Sequence, residues 1–422
     1  MWPLKTMTEF CGIDFGTSNS TVSLAGPTGP ARLIALEDAH LTLPSAVFWA
    51  EDGPALFGRA AMAAYIEGDE GRLMRGLKST LGSGLIDERT VVGRRAVTFR
   101  DVLSKFIRHM RDVLEENSPG VDRVVLGRPV HFVDGDEAAD QAAETALAEI
   151  AAAVGFKDIA FQFEPIAAAL QYEVGVAREE IVLIVDIGGG TSDISLVRVS
   201  PERARAVDRA ADILGNGGIR LGGTDFDRSL SLAEVMPHLG HGSSLNGGKA
   251  LVPNHYFLDL ATWHRINSLY TPKKAAEVKS LLADADRADL VGRFAHVVGL
   301  RAGHALAMEV EATKIALSSA PAHRMQLHPI TGGPNPMASA ERLAECLASG
   351  LDRIGGLMAE VLAEGGLTPA QVGTVFLTGG SSDLPALRAL VGRVLPGVPV
   401  ATGDMLGSVG AGLALEARRR FA

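Results

Sequence analysis

Two stretches of this chain carry nearly the same text. One reads Cys11-Gly12-Ile13-Asp14-Phe15-Gly16-Thr17-Ser18-Asn19-Ser20, the other Leu183-Ile184-Val185-Asp186-Ile187-Gly188-Gly189-Gly190-Thr191-Ser192-Asp193. Each is an apolar strand ending in Asp, then a Gly-rich turn with small hydroxyl residues, then a second apolar strand. The chemistry such a hairpin suits is phosphate binding. Glycines let backbone N–H groups approach phosphate oxygens without an obstructing Cβ, and the hydroxyls add donors. Gly16, Thr17, Ser18 and Asn19 in the first turn, and Gly188, Gly189, Gly190 and Thr191 in the second, are therefore candidate phosphate ligands. Asp14 and Asp186 are the candidate Mg²⁺ carboxylates, acting through bound waters because Mg²⁺ keeps several. A single Asp-x-Gly-x-Thr is a weak signal and more often a structural turn. The duplication is the signal, since two such hairpins facing each other would clamp a triphosphate between two lobes.

The elements that must position these turns alternate. β-like runs follow the first hairpin at Ala31–Leu36 and Ser45–Ala50, with a short strand or turn at Ala55–Arg59. Asp101–Glu116 places Val102, Phe106, Met110 and Val113 on one helical stripe. A strand at Asp122–Gly127, an Ala-rich helix at Asp136–Val154, a strand at Ile159–Phe163 and a helix at Ile166–Val174 complete the first half. The second half restarts at Ile181. A third strand is expected over Arg203–Asp212, with turns at Asn216-Gly217-Gly218 and Gly222-Gly223 and a helix at Asp225–Val235. Pro237–Pro253 reads as a loop, Phe257–Ser318 as a helical subdomain and Ala338–Glu364 as a long helix. A strand at Thr374–Leu377, a helix at Leu384–Val394, a strand at Val398–Ala401 and a helix at Ser408–Arg419 end the chain. Strands alternating with helices make the class α/β.

Composition narrows the function. The 422 residues suffice for two lobes, and 47% are hydrophobic with only 5% aromatic, so the core is aliphatic. A formal net charge of −10 argues against a nucleic-acid surface. Cys11 and Cys346 form no disulfide framework, and Cys11 sits in a core strand. Met1–Thr8 has no secretory apolar run and no stretch of about 18 apolar residues occurs, so a cytoplasmic protein without a membrane span is expected. Arg418-Arg419-Arg420 complements a helix C-terminus. His238, His241 and His304 compose no metal or catalytic site, and no Ser-His-Asp arrangement is legible.

Further residues carry a resemblance. Glu164-Pro165-Ile166-Ala167-Ala168-Ala169 is similar to a Glu-Pro-Thr-Ala-Ala-Ala segment, and Leu221-Gly222-Gly223-Thr224-Asp225-Phe226-Asp227 to Leu-Gly-Gly-Glu-Asp-Phe-Asp. With the two hairpins, Lys78 in Leu77-Lys78-Ser79-Thr80-Leu81-Gly82, and Thr378-Gly379-Gly380-Ser381, they resemble the actin-like ATPase superfamily. Within it the match is to the heat shock protein 70 chaperone family. Tyr256-Phe257-Leu258-Asp259-Leu260-Ala261-Thr262-Trp263-His264 resembles its short YegD-type branch, which lacks the peptide-binding domain.

That resemblance implies a two-lobed, ribonuclease H-like duplicated α/β fold with ATP or ADP and Mg²⁺ in the interlobe cleft. Lobe I would span residues 9–176, with a C-terminal helix at 404–422 returning to it. Lobe II would span 177–403 and hold a helical subdomain at about 224–318. The implied catalytic set is Asp14, Lys78, Glu164, Asp186 and Thr191. Lys78 would reach the γ-phosphate and attacking water; otherwise it is a solvated surface residue. Glu164 would orient that water; otherwise it caps the following helix. Pro129 matches the proline that couples nucleotide state to lobe motion, or simply ends a strand.

Gly222, Gly223, Glu311, Lys314, Ser318, Gly379, Gly380, Ser381 and Asp404 would face the adenosine, though Glu311 and Lys314 also read as a solvated charge pair. Two departures stand out. Ile315 and Asp383 occupy the positions where the family sandwiches adenine between arginines, and losing that stacking costs roughly 0.5–2 kcal/mol.

The resulting expectation is a slow Mg-dependent ATPase switch, monomeric or weakly oligomeric, with a protein client or co-chaperone as partner. A sugar or acetate kinase, a polyphosphatase, and a non-enzymatic actin-like scaffold are the alternatives.

Overall fold

The pattern of apolar residues assigns each face of the central strands. In β1 (Phe10–Phe15), Cys11, Ile13 and Phe15 enter one core cluster while Phe10 enters another. After β2 (Asn19–Ala25) and β3 (Ala31–Leu33), β4 (Arg123–Arg128) repeats the division, with Val124 and Leu126 against Val125. This period of two is what a sheet covered on both sides requires. With β5 (Asp158–Phe163) the sheet order is β5-β4-β1-β2-β3, and Leu43–Pro44 also pairs with β2. The computed structural model describes residues 9–50, 53–82, 84–92, 95–133, 135–173, 175–206, 208–403 and 407–422.

The second half repeats the plan. Strands β6 (Glu180–Ile187), β7 (Ser192–Val199), β8 (Ile213–Ile219), β9 (Thr374–Thr378) and β10 (Val400–Thr402) form a sheet of order β10-β9-β6-β7-β8. Both sheets thus read fifth-fourth-first-second-third. In both, the first strand pairs antiparallel with the second and parallel with the fourth. The α/β class and the duplication anticipated from the sequence are those of the molecule.

Helices α1 (Phe99–Asn117) and α2 (Glu137–Ala153) cover one face of the first sheet through Val102, Phe106, Met110, Leu147 and Ile150. Helix α3 (Glu164–Glu173) packs with the C-terminal helix, Ser408–Phe421, in a second cluster. There Ile166–Leu170, Leu413 and Ala417 meet Val125 of the first sheet and Val182, Ile184 and Val197 of the second. The contact needs residues without side chains. A Cβ on Gly412 would lie 1.8 Å from the Ala167 carbonyl oxygen, and one on Gly12 would lie 2.3 Å from the Ala414 nitrogen.

All of this belongs to one compact unit, Met1–Ile219 with Leu357–Ser382 and Gly392–Ala422. The other unit, Arg220–Gly356 with Asp383–Val391, is mostly helical and includes α4 (Gly223–Leu230) and α5 (Gly303–Leu317). Its core holds Phe226, Tyr256, Phe257 and Phe294. The long helix α6 (Ala340–Glu364) runs through both units, and the C-terminal helix is α7. None of the described helices is long and apolar enough to cross a membrane.

Three local expectations are corrected. Arg203–Asp212 is not a strand but two short 3₁₀ turns, Arg203–Arg205 and Ala210–Asp212. Its Arg203, Arg209 and Asp212 side chains form ion pairs that hold the segment off the sheet. The third strand is Ile213–Ile219, and it includes Asn216-Gly217-Gly218, expected as a turn. Its glycines serve close packing: a Cβ on Gly215 would sit 2.6 Å from the Val361 carbonyl oxygen, and one on Gly217 would sit 2.8 Å from Leu357. Finally, Pro237–Pro253 is not all loop, since Ser244–Leu245 pairs with Ala250–Leu251.

The α3–α7 contact makes a direct prediction. Gly412→Ala forces a methyl group against the Ala167 carbonyl and should destabilise by at least the ~1–3 kcal/mol typical of overpacking. Gly356→Ala, in α6 with open space around it, should instead stabilise by up to about 1 kcal/mol. Thermal melts of the two variants should move in opposite directions from the parent.

Candidate functional site

The strand faces that share the α3–α7 core end in carboxylates. On β1, Asp14 continues the series Phe10, Gly12; on β6, Asp186 continues Val182, Ile184. An ion pair from elsewhere in the chain lies close enough to both aspartates to shift their charge. The Lys78 ammonium lies 2.5 Å from Glu164 Oε1, with side chains 10% and 21% exposed. Lys78 is placed by the 3₁₀ turn Leu77–Thr80, anchored by buried Leu77 after a left-handed Gly76 at φ 63°. Glu164 is the first residue of α3, directly at the end of β5. Lys78 is therefore no solvated surface lysine, and Glu164 does more than begin a helix.

Charge crowding governs this cluster. Burial pushes the Asp14 carboxyl up to about 7, Glu164 adds to the shift and Lys78 opposes it. Burial likewise raises Asp186 to about 8, helped by the negative charges of Asp193, Glu164 and Asp14 and opposed by Lys78. For Lys78, burial alone would lower the ammonium, but Glu164 and Asp14, the hydrogen bond to Glu164, and Asp193 together hold it above the ordinary lysine value. One ammonium thus serves several carboxylates.

The two turns complete the geometry. Gly188 N–H donates to the Thr191 carbonyl at 2.9 Å, closing the second turn. A Cβ on Gly189 would lie 2.2 Å from Ser18 Oγ, so the two duplicated turns abut. Gly16 leaves no room either, since its Cβ would be 2.1 Å from the Asn19 carbonyl oxygen. Thr17, Ser18, Asn19, Gly190 and Thr191 are half-buried. Thr378 pairs with Asp186 on the neighbouring strand, and at Gly379, with φ 85°, a Cβ would lie 2.4 Å from Asp186 Oδ1. Gly380 follows, and buried Ser381 donates its N–H to the Ile187 carbonyl at 3.3 Å. Pro129 follows β4 directly, its carbonyl accepting from Arg128 Nε at 3.1 Å.

The donor set fits a hydrated divalent cation. Asp14 and Asp186 are carboxylates held largely out of water with too little positive charge beside them. Among the described residues no three His, Cys, Asp or Glu side chains converge as direct ligands. Two carboxylates gripping the water shell of a hard cation are consistent with that arrangement.

Three contributors escaped the sequence reading. Gly127 on β4 leaves little room for a side chain: its Cβ would lie 3.1 Å from Leu413, 3.3 Å from Glu164 Cγ and 3.6 Å from Asp14 Oδ1. Ser45 braces the first turn, its hydroxyl donating to the Gly16 carbonyl at 2.6 Å and its N–H to the Ser18 carbonyl at 2.8 Å. Asp193, opposite Asp186 in the hairpin register, adds negative charge. Of these, only Asp193 had a local signal, as the closing residue of the second motif.

The remaining candidates belong to the helical unit. Lys314 on α5 is buried, pairs with Asp227 Oδ1 at 2.7 Å and donates to the Gly223 carbonyl at 3.1 Å. It is neither solvated nor paired with Glu311, which is exposed. Gly222 N–H donates to Asp225 Oδ2 at 3.1 Å and starts α4. Ser318 Oγ donates to the Lys314 carbonyl at 3.3 Å. Ile315 is 61% exposed, and Asp383 pairs with Arg388 at 3.1 Å. Asp404 lies outside the described residues.

A duplicated sheet of this order, with an Asp-ended hairpin in each copy, defines the two-lobed actin-like ATPase fold. Residues 10–236, more than half of the chain, match the family described as Hsp70 protein, and the chain belongs to that family. The chaperone protein DnaK of Thermosipho africanus is 28% identical over 221 residues, covering 52% of this chain and 34% of that protein. DnaK of Thermotoga maritima gives the same values. The matched region thus spans about a third of the length of these relatives.

The crowded carboxylates set a pH dependence. A carboxyl whose folded pKa is raised binds its proton more tightly in the native state, so it costs stability as pH rises from the unfolded value toward the folded one. For Asp186 that window runs from about 4 to about 8. In metal-free buffer Asp186→Asn should lose less melting temperature than the parent between pH 5 and pH 8. Parallel pH-dependent melts that superimpose for the two proteins would contradict this assignment.

Proposed function

We propose that this chain binds ATP with Mg²⁺ and hydrolyses it slowly, acting as a nucleotide-dependent conformational switch of the Hsp70 kind. The observation that carries the reading is the Lys78–Glu164 ion pair beside Asp14 and Asp186, at the abutting ends of two phosphate-type turns. Bound Mg²⁺ would supply charge neutralisation to the triphosphate. Asp14 and Asp186 would hold its water shell. The backbone N–H groups around Gly16–Ser18 and Gly188–Thr191, with the Thr17, Ser18 and Thr191 hydroxyls, would donate to phosphate oxygens. Lys78 would neutralise charge that develops on the transferred phosphoryl group, and Glu164 would orient the attacking water. Phosphoryl transfer needs positioning and electrostatics above all, and this cluster provides both.

Base recognition is the weaker half of the site. Gly379, Gly380 and Ser381 are assigned to the nucleoside in this reading. Ile315 supplies an apolar surface where stacking guanidinium is expected. Affinity should fall by the roughly 0.5–2 kcal/mol that cation–π stacking contributes, and selectivity for adenine should be loose. The reading also assigns residues 9–176 and 177–403 to lobes that move on nucleotide exchange, and places any protein client or co-chaperone on surfaces outside the nucleotide site. A cytoplasmic location and the YegD-type branch belong to the same proposal.

Calorimetric titration with ATP and Mg²⁺, followed by phosphate release on the same samples, tests the core claim. Asp186→Asn should abolish Mg-dependent binding. Lys78→Ala should keep binding within about tenfold while phosphate release falls by about 10²-fold or more, as expected for a donor that acts on the transition state. Absence of ATP binding at millimolar concentration, or release that requires a sugar acceptor, would replace this reading.

A further inference from the structure

Helix α3 begins at Glu164 and ends at Glu173, and each end is held by a cation from a distant part of the chain. At the far end the Arg209 and Glu173 side chains are 0% and 1% exposed. The guanidinium forks onto both carboxylate oxygens: Nη1 donates to Oε2 at 2.9 Å and Nη2 to Oε1 at 2.7 Å. Ser200 N–H donates to Oε1 at 3.1 Å. Arg209 Nε donates to Asp212, which also accepts from Arg203, and Nη2 reaches the Arg198 carbonyl at 3.3 Å. The residues after β7 thereby grip the last residue of the helix whose first residue is Glu164.

Stability alone gives no reason for this arrangement. A carboxylate at a helix C-terminus opposes the macrodipole. A fully buried ion pair adds little net stability over apolar residues of the same volume, because desolvation offsets the attraction. What a bidentate fork does supply is orientation, since it fixes the carboxylate plane as well as its distance. The helix between its ends is stiff. Ile166–Leu170 are buried in the shared core, and α7 meets the Ala167 carbonyl at Gly412 with no slack. Ten residues make a rod about 15 Å long. A rotation or slide imposed at Glu173 therefore reaches Glu164.

We propose that Arg209 is a positioning residue for the candidate active site: its fork onto Glu173 sets the rotation and axial position of α3, and so fixes where the Glu164 carboxylate meets Lys78. This rests on the ATP-hydrolysing reading given above. The sequence offered no hint of it, because Arg209 lies in a stretch that reads as a strand.

The test uses the full chain as Arg209→Lys, Arg209→Met and the double variant Arg209→Met/Glu173→Met. Two readouts run together: kcat and KM for phosphate release from Mg-ATP, and amine labelling of Lys78 without nucleotide, quantified by peptide mass spectrometry. Arg209→Met should lower kcat about tenfold or more with little change in KM, within the ~10²-fold that an ångström of misplacement can cost. Lys78 labelling should rise several-fold as its pairing with Glu164 loosens. Arg209→Lys, which keeps the charge without the fork, should fall between. The double variant leaves no unpaired buried carboxylate at position 173, so its melting temperature should recover while kcat and Lys78 protection do not. Recovery of all three, or a loss confined to melting temperature in Arg209→Met, overturns the proposal. If the parent protein releases no phosphate, the ATPase reading falls while the labelling still decides the clamp. Unchanged Lys78 labelling in Arg209→Met would then overturn it, and increased labelling would support it.

Discussion

The Lys78–Glu164 ion pair is the interaction around which the rest of this molecule is arranged. Asp14 and Asp186 are both raised well above the ordinary carboxylate range, with the negative charges of Glu164 and, at Asp186, Asp193 beside one ammonium. Isolated charges held from water are costly, and like charges held together are more so. Such a cluster persists only if the surrounding fold fixes its members independently. The duplicated sheets do so. Each contributes an aspartate at the end of a strand whose preceding residues are locked in the shared core. The lysine comes on a 3₁₀ turn pinned by Leu77, and the glutamate on a helix whose Ile166–Leu170 segment is buried. The energy that tolerates the charges is stored in apolar packing some residues away.

This division explains where small residues occur. Gly12, Gly127 and Gly412 lie on surfaces that meet α3 or α7, and a Cβ at any of them would meet backbone or site atoms. The Ala-rich text of α3 has the same cause. A helix that must lie between two sheets and another helix has no volume for long side chains, so Ala167, Ala168 and Ala169 give close approach and Ile166 and Leu170 fill the remainder. The motif Glu-Pro-Ile-Ala-Ala-Ala therefore records both chemistry and packing: its first residue faces the site, and its alanines set the distance at which that residue is held.

The sequence made the hairpins legible because everything that defines them is local. An Asp, a Gly-rich turn and two apolar strands sit within a dozen residues, and their repetition raises the signal. Lys78 is different. Nothing within its own segment tells a buried lysine from a solvated one; the partner that decides, Glu164, is 86 positions away. Ser45 and Gly127 carried no signal at all, since a serine bracing a turn and a glycine sparing room are defined by what comes to them from elsewhere. The failed strand at Arg203–Asp212 has a similar origin. The segment was expected to be extended, but its arginines and aspartate belong to a buried ion network. The real strand hides behind glycines that read as turns until α6 is seen lying on them.

The helical unit shows how far a motif can carry a role. The family resemblance would give Lys314 a nucleoside contact, yet its ammonium is already engaged by Asp227 and by the Gly223 carbonyl. Burial pushes the Asp227 carboxyl up to about 6 while Lys314 opposes that shift, so the two groups depend on each other. A lysine so engaged orders the start of α4 against α5 whether or not nucleotide is present. The Lys314 side chain is thereby fixed in place within this unit. Beside it, exposed Ile315 presents area without charge or directionality. Apolar contact of that kind accepts any planar base nearly equally, because each has a π-face and none finds a matching hydrogen bond. In the proposed reading, affinity would then rest on the phosphates. A site of the proposed kind would specify the triphosphate end by geometry and the base end only by shape.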